Sequence, residues 1–198
     1  MINLRKGKAM ASWKDYENAR KNNGNTVSEA QSGNAIKQQY LFLKKKADEG
    51  DADAMNDLGI RLFRGDFDGL FEHKRAVNMA IPYLNHAADY GSTYAQTCLG
   101  VIYESGMLGN KDVDKAEAFY TLAARQNVGK AQYRLGVIRF SKGERDGIHW
   151  ICCAHLNGEK EATELLKFII QKSDSSREMQ ELIQRQINRI KNNGIIPD

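Results

Sequence analysis

His149, Cys152, Cys153 and His155 fall within seven residues and are the side chains of this chain best suited by type to bind a metal. On a helix His149 faces Cys152 and Cys153 at i+3 and i+4, while His155 points about 120° away, so the set cannot close a tetrahedron. No Cys-x-x-Cys pair stands elsewhere to complete it. Read as small apolar residues, the two cysteines belong in a core and need no ligand role. Nucleophilic and phosphate chemistry finds no better footing: Gly-x-Ser-x-Gly, Gly-x-x-x-x-Gly-Lys-Ser/Thr and His-Glu-x-x-His are all absent. Asp66 and Asp68 pair two acids, but in a Gly-flanked stretch where Asp and Gly are ordinary turn formers. Arg64-Gly65-Asp66 spells a short adhesion tripeptide, which has no receptor inside a cell. These residues predict no catalytic group, no cofactor and no metal.

The elements that carry them must come from a chain of 198 residues, 41% apolar and 27% charged, a composition that suits a soluble globular protein. Apolar runs such as WICCA are far shorter than the roughly 20 residues of a membrane-spanning helix, so no span is expected. The net charge of +4 resides in residues 1–21, where Arg5, Lys6, Lys8, Lys14, Arg20 and Lys21 outnumber Asp15 and Glu17. The remainder is balanced, and binding of nucleic acid by the body of the protein is not expected, because counterion release needs clustered cations. No apolar block follows the basic N-terminal residues as a secretory signal would require. Three cysteines, two of them adjacent, offer no disulfide framework. Reduced thiols and a cytoplasmic location are the expectation.

Internal repetition dominates the rest. PYLNHAADYGSTYAQTCLG, residues 82–100, returns in outline as AFYTLAARQNVGKAQYRLG at 118–136, with Ala, Ala, Ala, Gln, Leu and Gly in the same places. LFLKKKADEGDADAMNDLG at 41–59 keeps Ala47, Gly50, Ala54, Leu58 and Gly59, and HWICCAHLNGEKEATELLK at 149–167 keeps Ala154, Ala162 and Leu166. Lys167 stands where the last Gly belongs, as in a degraded terminal copy. The Leu-Gly pairs recur after 41 and then 36 residues, the excess lying in FRGDFDGLFEHKRAV and YESGMLGNKDVDK. Constant helices joined by variable loops describe a stacked array.

In the helix expected from Thr93 to Glu104, Ala95, Cys98, Leu99, Ile102 and Tyr103 form a stripe at i, i+3, i+4, i+7 and i+8, predicting a buried face. Gly100 inside that helix costs about 0.8 to 1 kcal/mol against Ala, which is tolerated where another backbone comes close. Ala123 and Ala124 are the expected partners across that contact. Gly50, Gly91 and Asn127 fall where left-handed helix caps belong. Residues 1–34 form a polar, basic leader and linker, with Trp13 and Tyr16 able to dock as one helical turn. Helical spacing sets in at Ala35 with Ile36, Tyr40, Leu43 and Ala47, the second helix of a truncated first copy. Residues 35–172 are then the repeat body and 173–198 a closing helix and tail. Ser175 and Glu178 spell a capping box, and Met179, Leu182, Ile183, Gln186, Ile187 and Ile190 a stripe that either covers the open end of the array or docks a second copy or a partner.

AQTCLGVIYESG followed by DKAEAFYTLAARQN resembles the Sel1-like repeat family, a relative of the tetratricopeptide repeats, over roughly residues 40–167. It departs from the family pattern at Pro82 and Tyr83, at Arg139 where Tyr is usual, and in the short loop SKGERDG. The resemblance implies an all-α, right-handed solenoid of helix-turn-helix units, acting as a non-catalytic scaffold or adaptor that holds a partner protein or peptide on its concave face. It also permits a role as an immunity protein neutralising a bacterial toxin. A small helical hydrolase of the cysteine-rich secreted type is a further use in the family, but the paired cysteines of that type are missing here. Carried over position by position, the groove residues lie six and three before each Leu-Gly glycine and one and four after it. They are Asp53, Asn56, Ile60 and Phe63; Tyr94, Thr97, Val101 and Glu104; and Lys130, Tyr133, Val137 and Phe140. The aromatic members are either exposed anchors or residues buried between units.

Overall fold

Asp51, Ser92 and Asp112 each place a side-chain oxygen where the first turn of a helix leaves backbone N–H groups unpaired. They accept from Ala54, Ala95 and Lys115 at 3.0, 3.3 and 3.0 Å. These caps open three of the nine helices in the described residues of this computed structural model, which are 29–144, 146–173 and 175–194. The helices are α1 Glu29–Asp48, α2 Ala52–Arg64, α3 His73–Asp89, α4 Thr93–Ser105 and α5 Val113–Arg125, then α6 Gly129–Ser141, α7 Gly147–Leu156, α8 Lys160–Lys172 and α9 Ser176–Asn193. No strand occurs among the described residues, and the fold is an all-α solenoid. α1 begins at Glu29, ahead of the Ala35 at which helical spacing sets in. Trp13 and Tyr16 lie outside the described residues.

α2 with α3, α4 with α5, and α6 with α7 are the hairpin units; α1 precedes them as a lone second helix. Each second helix turns into the next first helix through the same backbone device. Gly50, Gly91, Asn127 and Gly158 adopt φ of 89°, 84°, 64° and 83°. At each, the left-handed residue donates its N–H to a carbonyl three residues back and the next residue donates to one five back, as in Gly91 to Ala88 and Ser92 to Ala87 at 3.0 and 2.9 Å. This is a Schellman closure, and Asn127 is the one non-glycine residue that fills it here, being the side chain that best tolerates the conformation. The fourth instance, Gly158, extends the repeat to a third interval of 31 residues after those of 41 and 36. Most of the contraction arises in the second helices, since α3, α5 and α7 have 17, 13 and 10 residues, and the rest in the loops ahead of them. α3 runs straight through Pro82, which lies on its exposed side.

Each hairpin closes on the Leu-Gly glycine. A Cβ added at Gly100 would lie 2.5 Å from Cε1 of Tyr120; at Gly136 it would lie 2.7 Å from Cγ1 of Ile151, and at Gly59 3.0 Å from Cβ of Tyr83 and 3.1 Å from the backbone N of Leu84. The partner of Gly100 is therefore the Tyr120 ring and not the expected Ala123 and Ala124. The vacancy left by a missing side chain is filled by a large one, and the two alanines are buried elsewhere in the core.

Two apolar clusters result, one running from Ala47 to Ile102 and one from Ala116 to Ile190, with Val101 and Tyr103 packed against both. The unit containing α4 and α5 spans them. Its joint to α6 is polar as well as apolar. Arg139 bonds Glu117 at 2.9 Å and Asp146, while Lys142 bonds Glu117 and Asp114 at 2.8 and 2.9 Å. At the C-terminal end α9 sends Ile183 and Ile190 into the second cluster, beside residues of α7 and α8. The stripe of α9 is thus used within this chain. Ser175 stands at its N-cap without a side-chain bond, so the capping box does not form.

Two predictions follow from these joints. Gly100→Leu should lower stability by about 1 to 3 kcal/mol or more, because Tyr120 must leave its site to admit the new side chain; a thermal melt followed by circular dichroism reads this, and an unchanged midpoint contradicts the packing. Burial pushes the Glu117 carboxyl up, but the hydrogen bonds from Lys142 and Arg139 outweigh it and hold it below the usual carboxylate range. Its contribution is therefore complete above the unfolded pKa and is lost as pH falls through the lower folded one. Glu117→Gln should cost about 1 to 2 kcal/mol at neutral pH, allowing for solvent screening, and the difference should shrink below pH of about 4 in urea unfolding series.

Candidate functional site

The first helices α2, α4 and α6 carry the positions that the repeat pattern marks for binding, and their hydrogen bonds show how the helices adjoin. Ser92, the cap of α4, donates from Oγ to Oδ1 of Asn56 on α2 at 3.1 Å. Arg134 on α6 donates to Oε1 of Glu104 on α4 at 3.3 Å. The row therefore crosses three neighbouring helices in order. Deeper in the joints, Gln96 and Gln132 are buried and donate to the carbonyls of Ala88 and Ala124, both at 3.2 Å, and Gln96 also accepts from Gln126 at 3.0 Å. Asn157 reaches back to Oδ1 of Asn127 at 2.6 Å and to Gln132 at 2.7 Å. The Gln of the repeat is thus a buried tie between units, satisfied as a buried amide must be.

The twelve marked positions do not share one environment. Asp53, Tyr94 and Phe140 are exposed; Asn56, Ile60, Thr97, Val101, Glu104, Lys130, Tyr133 and Val137 are half-buried; Phe63 is buried. Phe63 belongs to the first apolar cluster, and Val101 and Tyr133 pack their inner edges on core residues. Thr97 spends its hydroxyl on the carbonyl of Thr93 at 2.8 Å. Glu104 has two internal partners, since besides Arg134 it accepts from the Tyr120 hydroxyl at 2.7 Å. Burial, and next the nearby Arg134 charge, push the Lys130 amine down. What the row presents outward is a strip of tyrosine and aliphatic surface from Tyr94 to Val137 with cations on its α6 side.

One member was missed. Phe168 on α8 is 55% exposed and stands one 31-residue interval after Val137, the same place in the fourth copy. Carrying the repeat through that copy, despite its Lys167, would have found it.

The His/Cys set of α7 is a core feature. His149, Cys152 and Cys153 are buried, with the Cys153 sulfur 3.5 Å from Nε2 of His149, and His155 pairs its Nδ1 with the Thr163 hydroxyl at 2.8 Å. Among the described residues no group of three or more His, Cys, Asp or Glu is placed to hold a metal. Burial pushes the Cys152 and Cys153 thiols up to about 12, and the Cys98 thiol higher still. A thiol held that high is not a nucleophile at neutral pH.

A scan against protein-family models found no match, and a search of the curated proteins found none. Among solved structures, the crystal structure of a Sel1 repeat protein from Oxalobacter formigenes is similar, with a TM-score of 0.51 and 33% sequence identity. The match covers 64% of this chain and 96% of that one.

The thiols give the test of this part of the structure. All three cysteines should resist a disulfide reagent in the native protein at pH 8, reacting at least about 100-fold more slowly than in denaturant. Rapid reaction of one or more native thiols would contradict the burial described.

Proposed function

Since the chain belongs to the Sel1-like repeat family, we propose that it is a non-catalytic scaffold or adaptor that holds a partner protein or peptide on the face formed by its first helices. The observation that carries this reading is the row itself. Val101 and Val137 occupy the same place on adjacent helices, and Tyr94 and Tyr133, at two different places of the row, keep ring surface exposed beside them. Tyrosine at such places brings a large apolar area and a polar tip at small entropic cost, which is why it is enriched among binding hot spots. On a solenoid these positions line the concave side, where a partner touches several units at once. Among the described residues no helix is long and apolar enough to cross a membrane. The buried thiols, none of them in a disulfide, are consistent with a cytoplasmic setting, where cysteines stay reduced.

The test is a double substitution. Tyr94→Ala with Tyr133→Ala should weaken binding of a partner recovered from the native cell by at least about 30-fold in titration calorimetry, or about 2 kcal/mol. The melting curve should stay close to that of the wild type, as the two rings are respectively exposed and half-buried. Arg185→Glu with Arg189→Glu on the exposed side of α9 is the control. Wild-type affinity in the tyrosine variant, with affinity lost in the arginine variant, would move the binding surface to α9 and overturn the reading.

A further inference from the structure

The third unit departs from its neighbours, and the departure leaves a cavity. Measured back from the left-handed residue that ends each second helix, α5 starts at Val113 against Asn127, while α7 starts at Gly147 against Gly158. α7 is three residues shorter than α5 and so lacks nearly a full turn at its N-terminal end. Gly147 seals the hairpin there, because a Cβ on it would collide with the backbone of Phe140. Beyond that contact a cavity of about 440 Å³ opens between the end of α6, the start of α7 and the middle turns of α9, lined by Phe140, Gly143, Glu144, Ile148, Leu182 and Gln186.

Two features set the chemistry of what fits. The walls made by Phe140, Ile148 and Leu182 are apolar, and Phe140 and Leu182 are 40% and 37% exposed. Within this lining, Oε1 of Gln186 is buried and has no hydrogen-bond donor among the described residues. A buried carbonyl in that condition costs free energy until a donor reaches it. Glu144, on the wall, belongs to an ion-pair cluster in which Asp114, Glu117, Glu144 and Asp146 face Arg139 and Lys142. Of these groups Glu144 is the one on the cavity wall.

We infer that this cavity is a second binding site, which shares Phe140 with the first-helix row but none of its tyrosines, and that it takes an arginine side chain of a partner protein. The three-carbon stem of arginine would lie along Ile148 and Leu182, and the guanidinium would stack on the Phe140 ring with one N–H directed to Gln186 Oε1. Its charge answers the Glu144 carboxylate at the wall, which Arg139 approaches at 3.7 Å. Arginine suits the place better than lysine because its flat, weakly hydrated head both stacks and donates in several directions. The inference does not depend on the tyrosine face, and its test uses no partner from that reading.

N-acetylargininamide titrated into the isotope-labelled protein, with the Ile148 and Leu182 methyl signals followed by NMR, tests it directly. Saturable shifts confined to these methyls are expected, with a Kd on the order of 1 mM for a fragment of this size. N-acetylnorleucinamide, which has the stem without the charge, should bind at least about tenfold more weakly. Leu182→Trp, at a partly exposed position that tolerates bulk, should fill the cavity and abolish the Ile148 shifts. Gln186→Leu should weaken the arginine probe several-fold and leave the norleucine probe unchanged, and melting curves of both variants establish that they are folded. Equal binding of the two probes, shifts that persist in the tryptophan variant, or no saturation would each overturn the inference.

Discussion

The contact between Tyr120 and Gly100 holds the array together at its centre. Tyr120 is fully buried, its ring occupies the space that any side chain at position 100 would need, and its hydroxyl reaches Glu104 on the same first helix. Glu104 in turn accepts from Arg134 of the next unit. One residue of α5 therefore fixes the distance to α4 through its ring and the placement of α6 through its hydroxyl. Burial of that hydroxyl pushes its ionisation far up, so it stays a donor at any ordinary pH. A phenol buried in this way must find an acceptor, and Glu104 is held in place by needing to supply it.

The same requirement decides which surface remains for partners. On a first helix that turns its glycine toward the second helix of its own unit, the residues three before and one after it lie about 60° and 100° around the axis, on the flank of that contact. Gly100 is buried while Thr97 and Val101 are half-exposed, and Gly136 is buried while Tyr133 and Val137 are half-exposed. The half-exposed row and the hairpin closure are thus set by one orientation of the helix. Glu104 marks the border: it occupies a place in the row, yet its carboxylate is engaged with Tyr120 and Arg134, so it shapes the floor of the face through its neighbours.

Much of this was legible in the sequence because it is periodic. The stripe of Ala95, Cys98, Leu99 and Ile102 is buried as its spacing requires, and Gly50, Gly91 and Asn127 adopt the left-handed conformation that their residue types favour. What was not legible depends on contacts between positions far apart in the chain. The small residue Gly100 suggested small partners, whereas packing density is kept by pairing small with large, and the sequence does not say which large side chain arrives. The tie from Gln132 to Ala124 and Asn157 joins residues 8 and 25 apart, and no local pattern marks it beyond the recurrence of Gln itself. Phe63 looked like Phe140 by position, but α3 and its long preceding loop cover the first unit, while the short loop before α7 leaves Phe140 open.

The end of the array supports the primacy of the glycine contact from the opposite direction. In the fourth copy Lys167 takes the glycine position, and its side chain is 63% exposed and paired with Glu164 at 2.9 Å. A lysine could not stand there if a second helix pressed against α8 as Tyr120 presses against α4. The following helix does not do so: α9 enters the core through Ile183 and Ile190, beside α7 as well as α8. Once the close contact is given up, the hairpin geometry need not be repeated, and α9 is free to lie across the last unit and cover its apolar edge. Loss of one glycine thereby converts a repeating element into a terminating one. The cavity beneath Leu182 and Gln186 lies where that cap meets the shortened α7.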